Sequence, residues 1–311
     1  MKVLVTGGAG YIGSLLSEFL LKEKFNVKVI DNFQYNQSSL NHLLYHPKFE
    51  VEKIDVRDEL EIKKQLKNFD VIIPLAALVG APLCNLKKKE AMDVNYLAIK
   101  NIVDNASKDQ IIIYPTTNSG YGIGQKNNFC TEETPLNPIS LYGKTKVEAE
   151  NYVQKHQNSV RFRLATVFGF SPRMRLDLLV NDFVYKAVKD KYIVLFEANF
   201  KRNYIHIRDV CHAFLYAIHH YKKFKGETFN LGLSDANLSK LELCKEIKSH
   251  VKSFEIVCSE IGQDLDKRDY IVSNKKIESR GYKTAYSLND GIKELMKVFN
   301  FLIPSSDMRN F

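Results

Sequence analysis

The sequence predicts an α/β protein in which a doubly wound parallel sheet, covered by helices on both faces, is combined with a smaller, mixed α/β lobe. Three observations lead to this prediction. Short apolar runs rich in β-branched residues alternate along the chain with stretches whose apolar residues recur at helical spacing. The 311 residues suffice for one large domain with a smaller lobe. The composition, 45% hydrophobic and 26% charged, is that of a globular chain.

The order of the elements favours a parallel sheet. Strand-like runs alternate with helical patterns, as they do in sheets whose crossover helices cover both faces. The helical stretches include IGSLLSEFLLKEK from Ile12 and KVEAENYVQKH from Lys146. The strand-like runs are KVLVT from Lys2, VKVI from Val27, FEVEKI from Phe49, DVIIPLA from Asp70, QIIIYP from Gln110 and VRFRLA from Val160.

The alternation becomes less regular from about Thr166, where Gly, Pro and Asn interrupt the pattern around SPRMR and LGLSDAN. This change predicts a boundary between two lobes. Residues 1–165 are expected to form the sheet domain, with part of 204–225 packing back onto it. Residues 166–311 are expected to form the smaller lobe.

Composition and charge exclude several classes of protein. The first strand begins almost at Met1, which leaves no room for an export signal, and the longest apolar run, from Val71, is about half a membrane span. We therefore expect a cytoplasmic protein that does not span a membrane. The net charge of +9 comes largely from dispersed lysines, which argues against nucleic-acid binding and favours a solvated surface or a field that attracts an anionic substrate. Neither a disulfide framework nor a zinc site is expected from the scattered cysteines, Cys84, Cys130, Cys211, Cys244 and Cys258.

The motif TGGAGYIG follows the first strand and opens a helix. In this position glycines allow a tight turn and let backbone N–H groups approach a pyrophosphate. Asp31 ends the second strand, where its carboxylate is placed to accept hydrogen bonds from an adenosine ribose and to repel a 2′-phosphate. The alternative is an ordinary turn followed by a solvated aspartate. A Rossmann-type NAD site is favoured over an NADP site, and its candidate residues are Gly7, Gly10, Tyr11, Ile12, Gly13, Asp31 and Asn32, with Asp55, Val56, Leu75, Ala76 and Ala77 at later strand ends.

The motif Tyr142-Gly-Lys-Thr-Lys146 places a phenol and an ammonium on one helical face, where the charge is expected to lower the phenol pKa. Tyr142 is thereby a candidate general base. It follows a prolyl turn after the loop TTNSGYG, so its hydroxyl is expected to meet Thr117 at the carboxyl edge of the sheet. Three other pairs share the spacing and are interpreted as surface helix faces: Tyr96 and Lys100, Tyr185 and Lys189, and Tyr221 and Lys225.

Taken together, TGGAGYIG, Asp31, TTNSGYG, PISLYGKTK and RNYIHIRDV resemble the extended short-chain dehydrogenase/reductase family, in its NAD-dependent nucleotide-sugar epimerase/dehydratase group. The resemblance covers essentially the whole chain. It implies that Tyr142 takes the proton of a sugar 4-hydroxyl while the C4 hydride passes to NAD. It also implies that Lys146 binds the nicotinamide ribose and tunes Tyr142, and that Thr117 orients the hydroxyl.

The loop after Thr117 narrows the implied chemistry. Dehydratases and decarboxylating members of the family carry acidic side chains directly after the catalytic Ser/Thr, whereas this chain has Asn118 and Ser119. Neither is a strong acid, so elimination of water or loss of CO₂ is not expected. Two outcomes stay open: oxidation at C4 with release of the ketone, and oxidation followed by re-reduction from the other face, which is epimerisation.

A narrower group in the family is also similar over both lobes: the bacterial capsule enzymes that oxidise C4 of GDP-D-glycero-α-D-manno-heptose. The stretches IIPLAALVGAPLC, FRLATVFGFSPRMR and DKRDYIVSN carry this similarity. Thr166 stands where epimerases usually carry Asn, and Leu75 stands where a His often precedes Ala76 and Ala77. The resemblance implies a tightly bound NAD and a GDP-linked sugar.

The resemblance also implies roles for residues of the second lobe and a way in which two chains assemble. Arg202 and Arg268 match positions that contact the diphosphate or base, as a guanidinium fork would. Dimer helices are implied near residues 90–106 and 142–156. The histidines show no metal-ligand spacing, so no metal is expected. A catalytically silent nucleotide-binding protein is the alternative class. The candidate substrate residues are Asn118, Ser119, Thr166, Arg173, Arg175, Asn181, Arg202 and Arg268, of which Arg173 and Arg175 are equally compatible with an exposed loop pair.

Overall fold

The computed structural model describes residues 1–125, 128–260 and 268–310, so Asp266 and Lys267 of the DKRDYIVSN stretch lie outside the described residues. The strands are β1 (Lys2–Thr6), β2 (Asn26–Asp31), β3 (Phe49–Lys53), β4 (Val71–Pro74), β5 (Ile111–Thr117), β6 (Phe129–Cys130), β7 (Ser159–Leu164), β8 (Thr166–Phe168), β9 (Tyr192–Phe196), β10 (Lys201–His206), β11 (Thr228–Leu231), β12 (Asn237–Ser239), β13 (Glu255–Ser259) and β14 (Ile271–Val272). The helices are α1 (Tyr11–Lys22), α2 (Glu59–Gln65), α3 (Ala81–Leu86), α4 (Lys88–Met92), α5 (Ala98–Asn105), α6 (Leu141–Val153), α7 (Leu179–Lys189), α8 (Ile207–His219), α9 (Lys240–His250), α10 (Lys275–Ser279) and α11 (Leu288–Phe301).

A parallel sheet organises the larger part of the protein. Among the described residues it has seven strands, in the order β11-β7-β5-β4-β1-β2-β3. All of its pairings are parallel. The chain builds outward from β1 through β2 to β3, and then builds the other half from β4. The strand order therefore reverses between β1 and β4, and ligands bind at such a switch point, outside the carboxyl ends of the strands.

Each face of the large sheet has its own apolar core. On one face α1 and α8 bury residues such as Leu16 and Phe214 against Val3 and Val5. The other face is covered by α2, α5 and α6 around residues such as Ile72 and Ile112. Strand β1 is buried from its second residue because both faces are covered, which is why its sequence is continuously apolar. The predicted doubly wound α/β fold and its six sequence-derived strands are confirmed.

The smaller lobe packs around a separate core. Helices α7, α9 and α11 contribute apolar residues to it, with β9 and β10, and Val184, Leu243, Ile292 and Phe299 are among its buried members. Its sheets are short: β12, β10 and β8 form one, and β13 and β9 form another.

Several segments of residues 166–311 belong to the larger core. Strand β11 pairs with β7 and completes the large sheet, and Ile277 of α10 and Tyr282 are buried in the same core. Helix α8, within residues 204–225, packs with α1 in this core as well. The sequence interval around β11 is too short and too interrupted to show which sheet it joins. Across the described ranges, no helix has the length and apolar character needed to cross a membrane.

Candidate active site

A cleft of about 440 Å³ lies between the two lobes, at the carboxyl edge of the large sheet. On the sheet side it is lined by the turn after β1, by the ends of β2, β4 and β5, and by the start of α6. On the other side it is lined by side chains of the smaller lobe. The predicted residues found on its wall are Gly7, Gly10, Tyr11, Ile12, Gly13, Asp31, Asn32, Asp55, Val56, Leu75, Ala76, Ala77, Thr117, Tyr142, Lys146, Thr166, Arg173, Arg175, Arg202 and Arg268.

The turn between β1 and α1 is one that glycine alone fits well. Gly7 has a φ of +68°, and a Cβ there would lie 2.5 Å from the backbone of Ala76. A Cβ on Gly13 would lie 2.5 Å from the Cα of Gly8. Helix α1 begins after Gly10 with no side-chain cap and no acidic residue in its first turn. Its first backbone N–H groups are therefore available to a phosphate at the cleft.

Asp31 lies at the cleft wall next to this turn. Its carboxylate accepts hydrogen bonds from the backbone N–H groups of Ala9, at 3.0 Å, and Phe33, at 2.8 Å. Burial raises the pKa of Asp31, and the hydrogen bonds and the charge of Arg173 oppose the rise. The residues that directly follow Asp31 supply no cation, but the fold brings Arg173 of the smaller lobe within electrostatic range.

Asp55 is held by a residue that the sequence argument missed. Arg57 donates to it through Nε at 2.8 Å and through a terminal nitrogen at 2.6 Å, and Asn32 donates at 3.2 Å. These bonds, with that from Arg57 the largest influence, lower the pKa of Asp55 to about 2. The carboxylate is ionised and fixed at the cleft edge. This pairing could have been predicted from the sequence, because Arg57 lies only two residues after Asp55.

Tyr142 sits at the start of α6, which Ser140 caps by accepting a hydrogen bond from the N–H of Gly143. Burial raises the pKa of Tyr142 to about 12. Arg268 and Arg175 act against this rise, as does a hydrogen bond with Thr117. The predicted approach of Tyr142 to Thr117 is therefore present in the structure, but for the polypeptide alone the phenol pKa is raised and not lowered.

Lys146 lies one turn further along α6 and is 5% exposed. Its Nζ is 4.1 Å from the centroid of the Tyr114 ring. Burial lowers the pKa of Lys146 to about 7. The buried ammonium therefore loses its proton far more readily than an exposed lysine does, and the charges that lower the Tyr142 pKa come from arginines.

Asn118 and Ser119 are buried and do not line the cleft, in contrast to their prediction as substrate contacts. They belong to the 3₁₀ turn Asn118–Tyr121, which begins when the Thr117 hydroxyl accepts a hydrogen bond from the N–H of Ser119. This turn carries both side chains inward. The Ser119 hydroxyl accepts hydrogen bonds from Thr117, at 2.9 Å, and from Arg268. Within the described residues, the Asn118 amide has no hydrogen-bond partner.

Asn181 is the third predicted substrate residue that does not reach the cleft wall. It is fully buried, and its amide accepts a hydrogen bond from the N–H of Gly169 at 3.0 Å and donates to the carbonyl of Arg175 at 2.9 Å. It also donates to the Tyr11 hydroxyl at 3.3 Å. Its hydrogen bonds hold the SPRMR loop in place, so it acts on the cleft through Arg175 and Tyr11.

Four arginines from the smaller lobe converge on the cleft: Arg173, Arg175, Arg202 and Arg268. The Arg173 guanidinium lies 4.7 Å from the ring centroid of Tyr35 and donates to Asn310 at 2.8 Å. Arg175 forms an ion pair with Asp177. These positive groups suit a diphosphate. The Tyr35 contact could not be predicted from the sequence, since 138 positions separate Tyr35 from Arg173, whereas Asp177 could have been found two residues after Arg175.

Asn95 is a further residue that sequence reasoning missed. It is fully buried in the π-helical turn Asp93–Leu97, between α4 and α5. Its amide accepts from the N–H of Leu78 at 2.8 Å and donates to the carbonyl of Leu78 at 3.0 Å. It thereby fixes the loop after β4 that lines the cleft. In the part of the chain that the structure describes, no group of three or more His, Cys, Asp or Glu side chains is placed to hold a metal ion.

Comparisons with known proteins agree on one family. Residues 3–232 match the NAD dependent epimerase/dehydratase family. A UDP-glucose 4-epimerase of Lactobacillus helveticus is 28% identical, over 79% of this chain and 82% of that protein. The UDP-glucuronic acid 4-epimerase of Bacillus cereus, solved with UDP-glucuronic acid and NAD, has a TM-score of 0.82 at 24% identity and covers 96% of this chain and 99% of its own. The Helicobacter pylori ADP-L-glycero-D-manno-heptose-6-epimerase has a TM-score of 0.81 at 25% identity, covering 97% and 96%.

Proposed function

The chain belongs to the NAD-dependent epimerase/dehydratase family, and on this basis we propose that it uses NAD to oxidise the C4 hydroxyl of a nucleotide-linked sugar. The observation that carries the proposal is the meeting of Thr117, Tyr142 and Lys146 with a glycine-rich turn along one cleft. A silent nucleotide-binding protein has no need of a phenol placed beside a lysine and a threonine.

The cleft fits NAD on features of the polypeptide. The first turn of α1 has no capping side chain, and the glycine turn leaves its N–H groups accessible to a pyrophosphate. Asp31 would hold the adenosine ribose, with Asn32, Asp55 and Val56 beside the adenine and with residues 75–77 along the remainder of the cofactor. When bound, NAD supplies the acceptor for the hydride that leaves C4. We further propose that it is held tightly.

In the proposed reaction Tyr142 takes the proton of the sugar 4-hydroxyl. Its pKa of about 12 makes the phenolate a strong base that is scarce at neutral pH, so nearby positive charge governs the rate. Arg268 and Arg175 supply such charge. Lys146, one helical turn away, is proposed from the family resemblance to add to it when it is protonated. Thr117 lies within hydrogen-bonding reach of Tyr142 and would orient the 4-hydroxyl between them.

The four arginines of the smaller lobe are proposed to hold the diphosphate, with Thr166 facing the sugar. Three of them, Arg173, Arg175 and Arg202, are almost fully buried. Buried guanidinium groups hold their geometry and bind phosphate oxygens more strongly than groups in water do.

At the level of the substrate we propose oxidation of GDP-D-glycero-α-D-manno-heptose to its 4-keto product, for the synthesis of a capsular sugar. The similarity to that group of dehydrogenases supports this, as do Thr166 and Leu75 at positions where epimerases usually carry Asn and His. The 4,6-dehydratase outcome is disfavoured because neither Asn118 nor Ser119 is an acid and neither lines the cleft.

A nucleotide-sugar 4-epimerase is the second candidate. It is favoured by the names of similar proteins, among them the UDP-glucose 4-epimerase of Lactobacillus helveticus. Both candidates share the oxidation step and differ in whether the 4-ketone is released or reduced again.

Incubation with a panel of GDP-, UDP-, ADP- and dTDP-linked sugars, followed by mass and configuration analysis, tests the proposal. Loss of two hydrogen atoms from GDP-heptose is expected. Unchanged mass with inverted C4 would establish the epimerase instead, and loss of water would contradict the argument from Asn118 and Ser119. If no sugar reacts and no reduced nicotinamide absorbance develops, the catalytic proposal fails.

A homodimer is also proposed, from the family resemblance, through α5 and α6. Leu97, just before α5, is 45% exposed, and Tyr152 of α6 donates a hydrogen bond to Asp104 of α5 on the same surface. Light scattering of the purified protein is expected to give twice the mass of the chain, and Leu97→Asp is expected to shift it toward the monomer. A monomeric wild-type protein would contradict this assembly.

A further inference from the structure

A continuous line of hydrogen-bonding groups joins the smaller lobe to the candidate base. Arg268 donates through a terminal guanidinium nitrogen to the Ser119 hydroxyl oxygen. The Thr117 hydroxyl donates to the same oxygen at 2.9 Å, and Thr117 in turn lies within hydrogen-bonding reach of Tyr142. Ser119 and Thr117 are buried, so water does not compete strongly for these groups. The line crosses from one lobe to the other at the place where proton transfer is proposed.

The donors and acceptors in this line restrict one another. A guanidinium only donates, and a hydroxyl oxygen has two lone pairs. Arg268 occupies one lone pair of Ser119 with a charge-assisted hydrogen bond, and this weakens Ser119 as an acceptor for the proton of Thr117. The Thr117 oxygen itself accepts a hydrogen bond from the N–H of Ser119, at 3.1 Å, which occupies one of its lone pairs. The Thr117 proton therefore has two possible acceptors, a weakened Ser119 oxygen and the oxygen of Tyr142.

The other groups that face Tyr142 do not fill this role. Cys84 of α3 acts in the opposite direction, because its negative form would raise the pKa of Tyr142. The Cys84 thiol has a pKa raised to about 11 by burial and stays neutral. Arg175 contributes charge but is paired with Asp177. Lys146 lies over the ring of Tyr114, and Tyr114 itself is buried and neutral.

We propose that Arg268 and Ser119 are positioning residues for proton transfer at Tyr142. By weakening Ser119 as an acceptor, Arg268 releases the Thr117 proton to hydrogen-bond to the phenolate of Tyr142. This inference deepens the proposed function and rests on it for its catalytic meaning. Ser119 then acts on Thr117 within the protein, instead of contacting the substrate as had been predicted. Arg268, at the substrate side of the cleft, is thereby linked to Tyr142, the proposed proton acceptor.

The test is a titration of Tyr142 in NAD-loaded protein labelled with 3-fluorotyrosine, whose lower phenol pKa brings the transition into a range where the fold is retained. The fluorine resonance of Tyr142 is assigned by its absence in Tyr142→Phe. Four proteins form a double-mutant cycle: wild type, Ser119→Ala, Arg268→Met and the double variant. The remaining tyrosine resonances report whether each variant keeps the native fold.

Arg268→Met is expected to raise the Tyr142 pKa by about one pH unit, because it removes a nearby positive charge and strengthens Ser119 as a competing acceptor. Ser119→Ala is expected to lower the pKa, since the Thr117 proton then has no competitor. In the Ser119→Ala background, Arg268→Met is expected to have a clearly smaller effect. Arg268→Lys, which keeps a charged donor, is expected to restore most of the wild-type value.

Additive effects in the cycle, or an unchanged pKa in Ser119→Ala, would overturn the proposal, because Arg268 would then act only as a distant charge. If either single variant fails to fold, Arg268→Gln, which removes the charge, and Ser119→Cys, whose thiol is a much weaker acceptor, carry the comparison. No sugar is present in the titration. A negative titration result therefore does not contradict the proposed oxidation. A negative result with the sugar panel likewise does not change what the titration shows.

Discussion

Replacing Lys146 by Met tests how much the buried amine destabilises the protein without cofactor. The pKa of Lys146 falls from its ordinary 10.5 to about 7 because the ammonium is buried. The unfolded chain therefore binds a proton between these values that the folded protein does not, and stability rises with pH across this window. Below about pH 7 the full penalty is present.

The size of the effect follows from the two pKa values. The difference between 10.5 and about 7 corresponds to about 5 kcal/mol, since each pH unit is about 1.4 kcal/mol. Met has a similar length and no charge, so Lys146→Met is expected to raise the free energy of unfolding by about that amount near pH 6. Near pH 9.5 most of the penalty has vanished, and the expected gain is about 1 kcal/mol.

Urea unfolding of NAD-free protein, followed by circular dichroism at the two pH values, measures both gains. Lys144→Met is the matched control, because Lys144 is exposed on the same helix and its replacement is expected to change stability by less than about 0.5 kcal/mol. A gain for Lys146→Met that is equal at both pH values would reveal a packing effect. No gain near pH 6 would refute the electrostatic reasoning.

Three further predictions concern the base and two ion pairs. Tyr142→Phe is expected to reduce turnover by roughly 10² or more, measured by steady-state kinetics, while NAD binding survives. Tyr185→Phe, a control with the same Tyr/Lys spacing, is expected to keep a turnover near that of the wild type. Glu150→Ala removes the carboxylate that lies 2.7 Å from buried Arg163 and is expected to lower the free energy of unfolding by about 3–5 kcal/mol. In the same urea assay, Glu148→Ala, at an exposed position, is expected to cause almost no change. Burial would raise the pKa of Glu294, but its hydrogen bonds, the largest from His206, lower it from 4.5 to about 2. After allowance for its partial exposure to solvent, stability is expected to fall by about 1–2 kcal/mol as pH drops through that window, and an equally steep fall in Glu294→Gln would contradict this.

The parts of the fold and site that depend on residues close together in the sequence were predictable from it. The strand runs were found because buried parallel strands are continuously apolar, as in β4. The glycine turn and Asp31 reach the same cleft because the order of β1, α1 and β2 dictates where their ends lie.

The parts that depend on distant contacts were not predictable. Asn118 and Ser119 follow Thr117 directly, but a 3₁₀ turn capped by Thr117 directs them into the protein, and no periodicity announces such a turn. The pKa values of Tyr142 and Lys146 are governed mainly by burial, which arises from packing of α6 against the sheet and cannot be derived from the spacing of the two residues. Arg268 reaches Ser119 across 149 positions of the chain.

The path of the chain between the two cores has a consequence for its synthesis. The chain leaves the large core after Ala165, returns at Ile205, leaves again after Leu231 and later returns at Ile277. On a ribosome, β7 therefore emerges long before β11, and its outer edge stays unpaired while the first part of the second core is translated. Residues 1–165 therefore cannot complete the larger lobe as an independent N-terminal domain would, because its last strand follows the first part of the smaller core. Release of residues 1–165 alone would yield a sheet with a bare edge, in a state suited to association with other nascent chains.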